Sequence, residues 1–176
     1  MSRKGNKNDI LLENISQLEN EVVWDEYEYN NHFSYLCKVI PEVENERLVT
    51  ADEVEENMQR PCVYMLIVEG RIFKIGKAEG TMNIGGFAGR INSYNCGRRK
   101  ARAKGTCSTT NFWVLQSLLN LEVEAVVYGY FPEDATTEVF GEEITQPFPS
   151  PKTIEGVIIK HFEKKYRKKP IGNTQG

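Results

Sequence analysis

The chain has 176 residues, 40% of them apolar and 10% aromatic, with 22 Lys and Arg against 25 Asp and Glu for a formal net charge of −3. A chain of this size buries about 70% of its unfolded surface, so the composition excludes wholesale disorder and any need for disulfides or a structural metal. The longest unbroken apolar run, Cys62 to Val68, is too short to span a membrane, and no apolar stretch follows the cationic start Met1 to Asp9; the expectation is a soluble, cytoplasmic protein with no membrane partner.

The charge is strongly segregated. Residues 1–60 sum to −8, residues 61–120 to +7 and residues 121–176 to −2. A polyanion responds to the local cation density it meets, so the middle third is the candidate contact surface despite the acidic total. There Arg98, Arg99, Lys100, Arg102 and Lys104 place five cations within seven residues, and a second cluster runs from Lys164 to Lys169. Either run taken singly reads as a solvated face, but two of them beside an acid-poor segment point to nucleic acid.

In chain order, Ile10, Leu11, Ile15, Leu18, Val22, Phe33, Leu36, Val39 and Ile40 recur at spacings near three and four, which predicts helix over residues 9–40. Glu42 to Gln59 is acidic and poor in apolar residues, as expected of a surface segment or short helix. Two β-rich runs, 62–68 and 71–76, flank Glu69-Gly70 and predict an antiparallel hairpin. Gly85-Gly86 then precedes a short helix from Phe87 to Tyr94 that carries Arg90. After the basic loop, Ser108 to Asn111 supplies an N-cap for a helix containing Phe112, Val114, Leu115, Leu118 and Leu119. Val123 to Phe131 is β-branched and aromatic and reads as a strand ended by Pro132. Residues 133–149 are compatible with a small hairpin or an irregular loop. Ser150-Pro151 starts a last helix, whose inward stripe is Ile154, Val157, Ile158, His161 and Phe162, with Glu155 and Ile159 beside it.

Cys37, Cys62, Cys96 and Cys107 lack CxxC spacing and read as free thiols. Walker-type phosphate loops, HExxH and GxSxG are absent, and His32 and His161 read as structural. What remains is a polar set of Tyr64, Lys74, Lys77, Arg90 and Glu155. Singly these decorate a sheet or a helix; together they supply a proton acceptor, cations for a developing phosphorane and a carboxylate for a divalent metal.

Cys62-Val63-Tyr64, then Lys74-Ile75-Gly76, Arg90, Glu155 and Asn173 follow the order of the GIY-YIG nuclease motifs. Cys62 stands at the first glycine and Lys74 at the second tyrosine. Longer blocks, including 93–97, 105–111, 114–119 and 168–172, resemble the small type II restriction endonucleases of that superfamily, and the resemblance reaches most of the chain.

The resemblance implies an α+β fold: a three-stranded antiparallel sheet flanked by helices, with an N-terminal helical extension (1–60) before a nuclease core with DNA-binding loops (61–176), one compact unit overall. It implies a sequence-specific, Mg²⁺-dependent endodeoxyribonuclease of a restriction-modification system. One metal would be held by Glu155, with Tyr64 as proton acceptor assisted by Lys74 or Lys77, and with Arg90 on the phosphate. The alternative is a DNA-binding or repair nuclease on the same scaffold. Arg98, Arg99, Lys100, Arg102, Lys104, Lys168 and Lys169 are candidate DNA contacts, and Asn95, Gln116, Asn173 and Gln175 are suited to adenine edges. Cutting both strands of a palindrome with one site per chain implies a homodimer on double-stranded DNA.

Overall fold

The apolar run from Cys62 to Val68 is buried at every residue, on both faces of the strand it forms. The computed structural model describes residues 10–80 and 84–174; the cationic N-terminal stretch and Gln175 lie outside them. In chain order the regular elements are β1 (Ser34–Glu42), β2 (Arg47–Ala51), α1 (Glu55–Met58), β3 (Cys62–Val68), β4 (Arg71–Ala78), α2 (Gly86–Asn95), α3 (Arg99–Ala103), α4 (Thr109–Leu121), β5 (Ala125–Tyr130), β6 (Asp134–Val139), β7 (Glu142–Pro147) and α5 (Pro151–Tyr166).

The main sheet has five strands in the order β2-β1-β5-β3-β4, antiparallel at every junction, and β6-β7 forms a separate two-stranded hairpin. The expected three-stranded sheet is therefore corrected. Its strands are present as β5-β3-β4, but β1 and β2 widen it, and β1 comes from residues that read as helical. Between Ile10 and Phe33 the chain makes short 3-10 turns, Ile15–Leu18, Trp24–Glu26 and Asn30–His32, and one antiparallel bridge from Val23 to Arg71, so the N-terminal helical extension is replaced by turns followed by a strand pair.

The cause is legible in β1. Its register with β5 slips between Tyr35 and Cys37, a bulge that shifts the phase of the side-chain alternation. Leu36, Cys37 and Val39 are all buried as a result, and the apolar spacing across the slip imitates the three-four pattern of a helix.

Two apolar layers cover the sheet. Tyr64, Leu66 and Val68 of β3 face Phe87, Tyr94, Trp113, Leu115 and Leu118 from α2 and α4. Val63, Met65 and Ile67 face Trp24, Tyr27, Phe33 and Phe162 from the N-terminal turns and α5. Burial on both sides explains the lack of alternation in β3. Helix starts behave as the sequence implies: Ser108 accepts from the Asn111 backbone N–H at 3.1 Å, and Ser150 from that of Thr153 at 3.2 Å, with Pro151 following. The stripe on α5 is narrower than expected, since Val157 is 62% exposed.

Both outer strands are closed by asparagine. Asn95, ending α2, accepts from the Leu48 N–H at 2.7 Å and donates to the Leu48 carbonyl at 2.9 Å on β2. Asn173 does the same to Ile75 of β4, at 2.8 Å and 2.7 Å. Each amide imitates one residue of an additional strand and blunts an edge open to foreign pairing.

Candidate active site

A hollow of about 280 Å³ opens over the outer strand β4, between α2 and α5. Lys74, Gly76 and Lys77 line it from β4, Arg90 and Ser93 from α2, and Glu155 from the first turns of α5. Residues far apart in the chain thus reach one space because α2 and α5 flank the same edge strand on opposite faces of the sheet.

Tyr64 stands immediately behind the Gly76 wall. The two are register partners across β3 and β4, and a Cβ at position 76 would collide with the Tyr64 ring carbon bearing the hydroxyl and with the hydroxyl itself. Glycine is required there because the phenol lies across its backbone. Phe87 packs edge-on against the Tyr64 ring at 4.9 Å between centroids.

The Tyr64 hydroxyl has two polar neighbours. It shares a hydrogen bond with the buried hydroxyl of Tyr94, and Arg90 Nε donates to it at 3.3 Å. The Arg90 guanidinium also lies over the Tyr94 ring, 4.8 Å from its centroid. Burial, followed by the adjacent Tyr94 phenol, pushes the Tyr64 pKa well up, while Arg90 pulls it down. Burial works against the Arg90 charge, yet the two phenolic oxygens more than offset it and hold the guanidinium protonated.

The two lysines have other engagements. Lys74, 7% exposed, donates from Nζ to the Gly172 carbonyl at 2.9 Å, and Lys77 pairs with Glu79 at 2.8 Å. Neither has a hydrogen bond to Tyr64 among the described residues, so the cation touching the phenol is Arg90. Glu155 is half-buried, with its pKa raised by burial and pulled back down by Lys74, Lys77 and Arg90. Among the described residues no group of three or more His, Cys, Asp or Glu side chains could hold a metal by itself.

Of the candidate DNA contacts, Arg98, Arg99, Lys100 and Lys104 are exposed on or beside α3, a short helix in place of the expected loop. Arg102 lies over the Phe112 ring at 5.1 Å and donates to Thr109. Gln116 is buried, donating to Glu46 and to the Gly97 carbonyl, and Asn95 and Asn173 bond strand edges as described. Lys168 donates to the Asn20 carbonyl at 2.6 Å and pairs with Glu21, while Lys169 lies 3.9 Å from Glu163. Tyr94 does not stand out from the sequence; its spacing of four from Arg90, which puts both on one face of α2, is the signal that marks it.

A guanidinium and a carboxylate thus line one open hollow, with a buried phenol bonded to the guanidinium behind its wall, and a basic helix, α3, follows α2 in the chain. Among solved structures the chain is similar to restriction endonuclease HPY188I in complex with product DNA, at 39% identity and a TM-score of 0.74, covering 100% of this chain and 98% of that one. It shares its fold with a mutant of bacteriophage T4 EndoII, at 14% identity and a TM-score of 0.57, covering 81% of this chain and 96% of that one. No family model and no curated protein matches. The chain belongs to the family of restriction endonucleases represented by HPY188I.

Proposed function

We propose that the protein is a site-specific type II restriction endonuclease of the GIY-YIG kind, hydrolysing double-stranded DNA as a homodimer with one Mg²⁺ per active site. The observation that carries this reading is a single hollow at the edge of β4 lined by Arg90 and Glu155, with the Tyr64 hydroxyl hydrogen-bonded to Arg90 behind its Gly76 wall. The product-DNA complex of the 39% identical relative supports DNA as the ligand.

Mg²⁺ characteristically takes one or two carboxylates and completes its shell with substrate phosphate and water. Glu155 fits that pattern: it lines the hollow, and no described residue forms an ion pair with it. Bound there, the ion would supply charge stabilisation to the scissile phosphate and its leaving oxygen.

The chain's own residues do the rest. Tyr64 accepts the proton of the attacking water at its Oη, which requires the phenolate. A phenol of ordinary pKa about 10 is poorly ionised at neutral pH; Arg90 favours the anion, against burial and the adjacent Tyr94 phenol. Arg90 turns its guanidinium to the phosphate as negative charge builds. Lys74 and Lys77 add positive potential to the wall and draw Glu155 toward its charged form.

Incubation of purified protein with plasmid DNA and Mg²⁺ tests the reading. Discrete fragments with constant ends are expected; nicking confined to branched structures, or a shifted band with no cleavage, would contradict it.

A further inference from the structure

The hairpin of β6 and β7 stands out from the rest of the described residues along most of its length. Every residue from Asp134 to Gln146 is exposed, on both faces, although two strands alone are marginal in water. Its two-residue turn is Phe140-Gly141, with φ of 51° and 82°, the left-handed pair of a tight hairpin turn. The first of these positions ordinarily favours asparagine, aspartate or glycine, and an aromatic there carries strain. Phe140 accepts that strain and is 102% exposed, with its ring covered by none of the described residues.

The same chain has an unfilled apolar hollow on α5. It measures about 260 Å³ and is walled by Tyr29, Phe33, Tyr130, Ile154, Val157 and Ile158. Val157 is its most exposed apolar member on α5, and Lys160 and Lys164 follow it at helical spacings of three and seven, exposed and in no ion pair with a described residue. The hairpin has the opposite charge: Glu133, Asp134, Glu138, Glu142 and Glu143 stand there with no Lys or Arg between 132 and 151. Five carboxylates keep this arm away from a phosphate backbone.

We propose that the hairpin is a dimerisation arm, with Phe140 of one copy seated in the Val157 hollow of a second copy and its carboxylates against Lys160 and Lys164. Knob and hollow are both present on each copy, so a twofold axis satisfies both contacts at once and closes the assembly. The arm connects β5, next to the catalytic strands, to α5, which carries Glu155, so the contact fixes the separation of the two hollows on DNA. This inference rests on the homodimer reading and assigns its surface.

Two single variants, Phe140→Cys and Val157→Cys, both in a Cys96→Ser/Cys107→Ser background, are mixed and mildly oxidised, and the products are mapped by mass spectrometry. A 140–157 link between chains is expected in the mixture and in neither variant alone. In sedimentation, Phe140→Asp is expected to weaken dimerisation at least tenfold, and Val157→Asp equally. A wild type that is dimeric while Phe140→Asp dimerises equally well and no 140–157 link forms overturns the arm and leaves the homodimer standing. A wild type that is monomeric both free and on DNA overturns the homodimer itself, and the arm with it.

Discussion

Tyr64 and Tyr94 are separated by thirty residues and brought together by the packing of α2 on β3. Tyr94→Phe leaves the fold and the Arg90 hydrogen bond to Tyr64 in place but removes the phenol that raises the Tyr64 pKa. The Tyr64 phenolate then forms at lower pH. The acidic limb of the single-turnover pH–rate profile is expected to move to lower pH, with the rate on that limb rising about tenfold for each pKa unit lost. A uniform loss at all pH values would mark Tyr94 as merely structural. Glu155 gives a second test at this scale. Its folded-state pKa lies above that of the unfolded chain, so the folded state holds the proton more tightly. Stability therefore falls as pH rises from the unfolded carboxyl range through the raised one, and the deficit persists at neutral pH. Glu155→Gln is expected to raise Tm by roughly 1–3 °C at pH 7 and to leave it unchanged near about pH 3. Scanning calorimetry at the two pH values checks the sign.

At the level of elements, the two edge asparagines hold the outer strands without reaching solvent-side ligands. Asn95→Ala and Asn173→Ala each leave a strand-edge N–H and carbonyl without their partner, and each is expected to reduce unfolding stability by about 1–3 kcal/mol in urea denaturation. Unchanged midpoints would contradict the edge-closing role. The sequence exposed those elements whose signals are local: the Glu69-Gly70 turn between β3 and β4, where both residues have positive φ, the Ser108 cap and the Ser150-Pro151 start. It concealed β1, because a bulge is a tertiary feature that rewrites the spacing on which a strand is recognised. Tyr64, Arg90 and Glu155 were singled out by their order in the chain, a signal that survives any misreading of the elements between them, and the fold brings Arg90 and Glu155 to one hollow with Tyr64 behind it. The partners of Asn95, Gln116 and Asn173 were not, because an amide suited to a base edge is equally suited to a peptide, and only the fold decides which it meets.

For the whole molecule, the even charge balance conceals a working asymmetry. Three of the C-terminal cations are committed to the fold, with Lys165 on Glu28, Lys168 on Glu21 and Lys169 near Glu163, whereas Arg98, Lys100 and Lys104 surround an open surface hollow by α3. Replacing those three together by alanine is expected to reduce the slope of log affinity against log salt by up to about 3, close to 0.9 for each phosphate no longer neutralised. Lys168→Ala is expected to leave the slope alone and lower Tm. Filter binding over a salt series, with melting curves beside it, separates the two clusters.

Single-turnover cleavage by Glu155→Gln, measured with a band-shift titration on the same DNA in Mg²⁺, asks whether the carboxylate from α5 acts on the phosphate that Tyr64 and Arg90 address. The expected result is a rate lower by about a thousandfold or more at unchanged affinity. Cleavage within tenfold of the wild-type rate would contradict it.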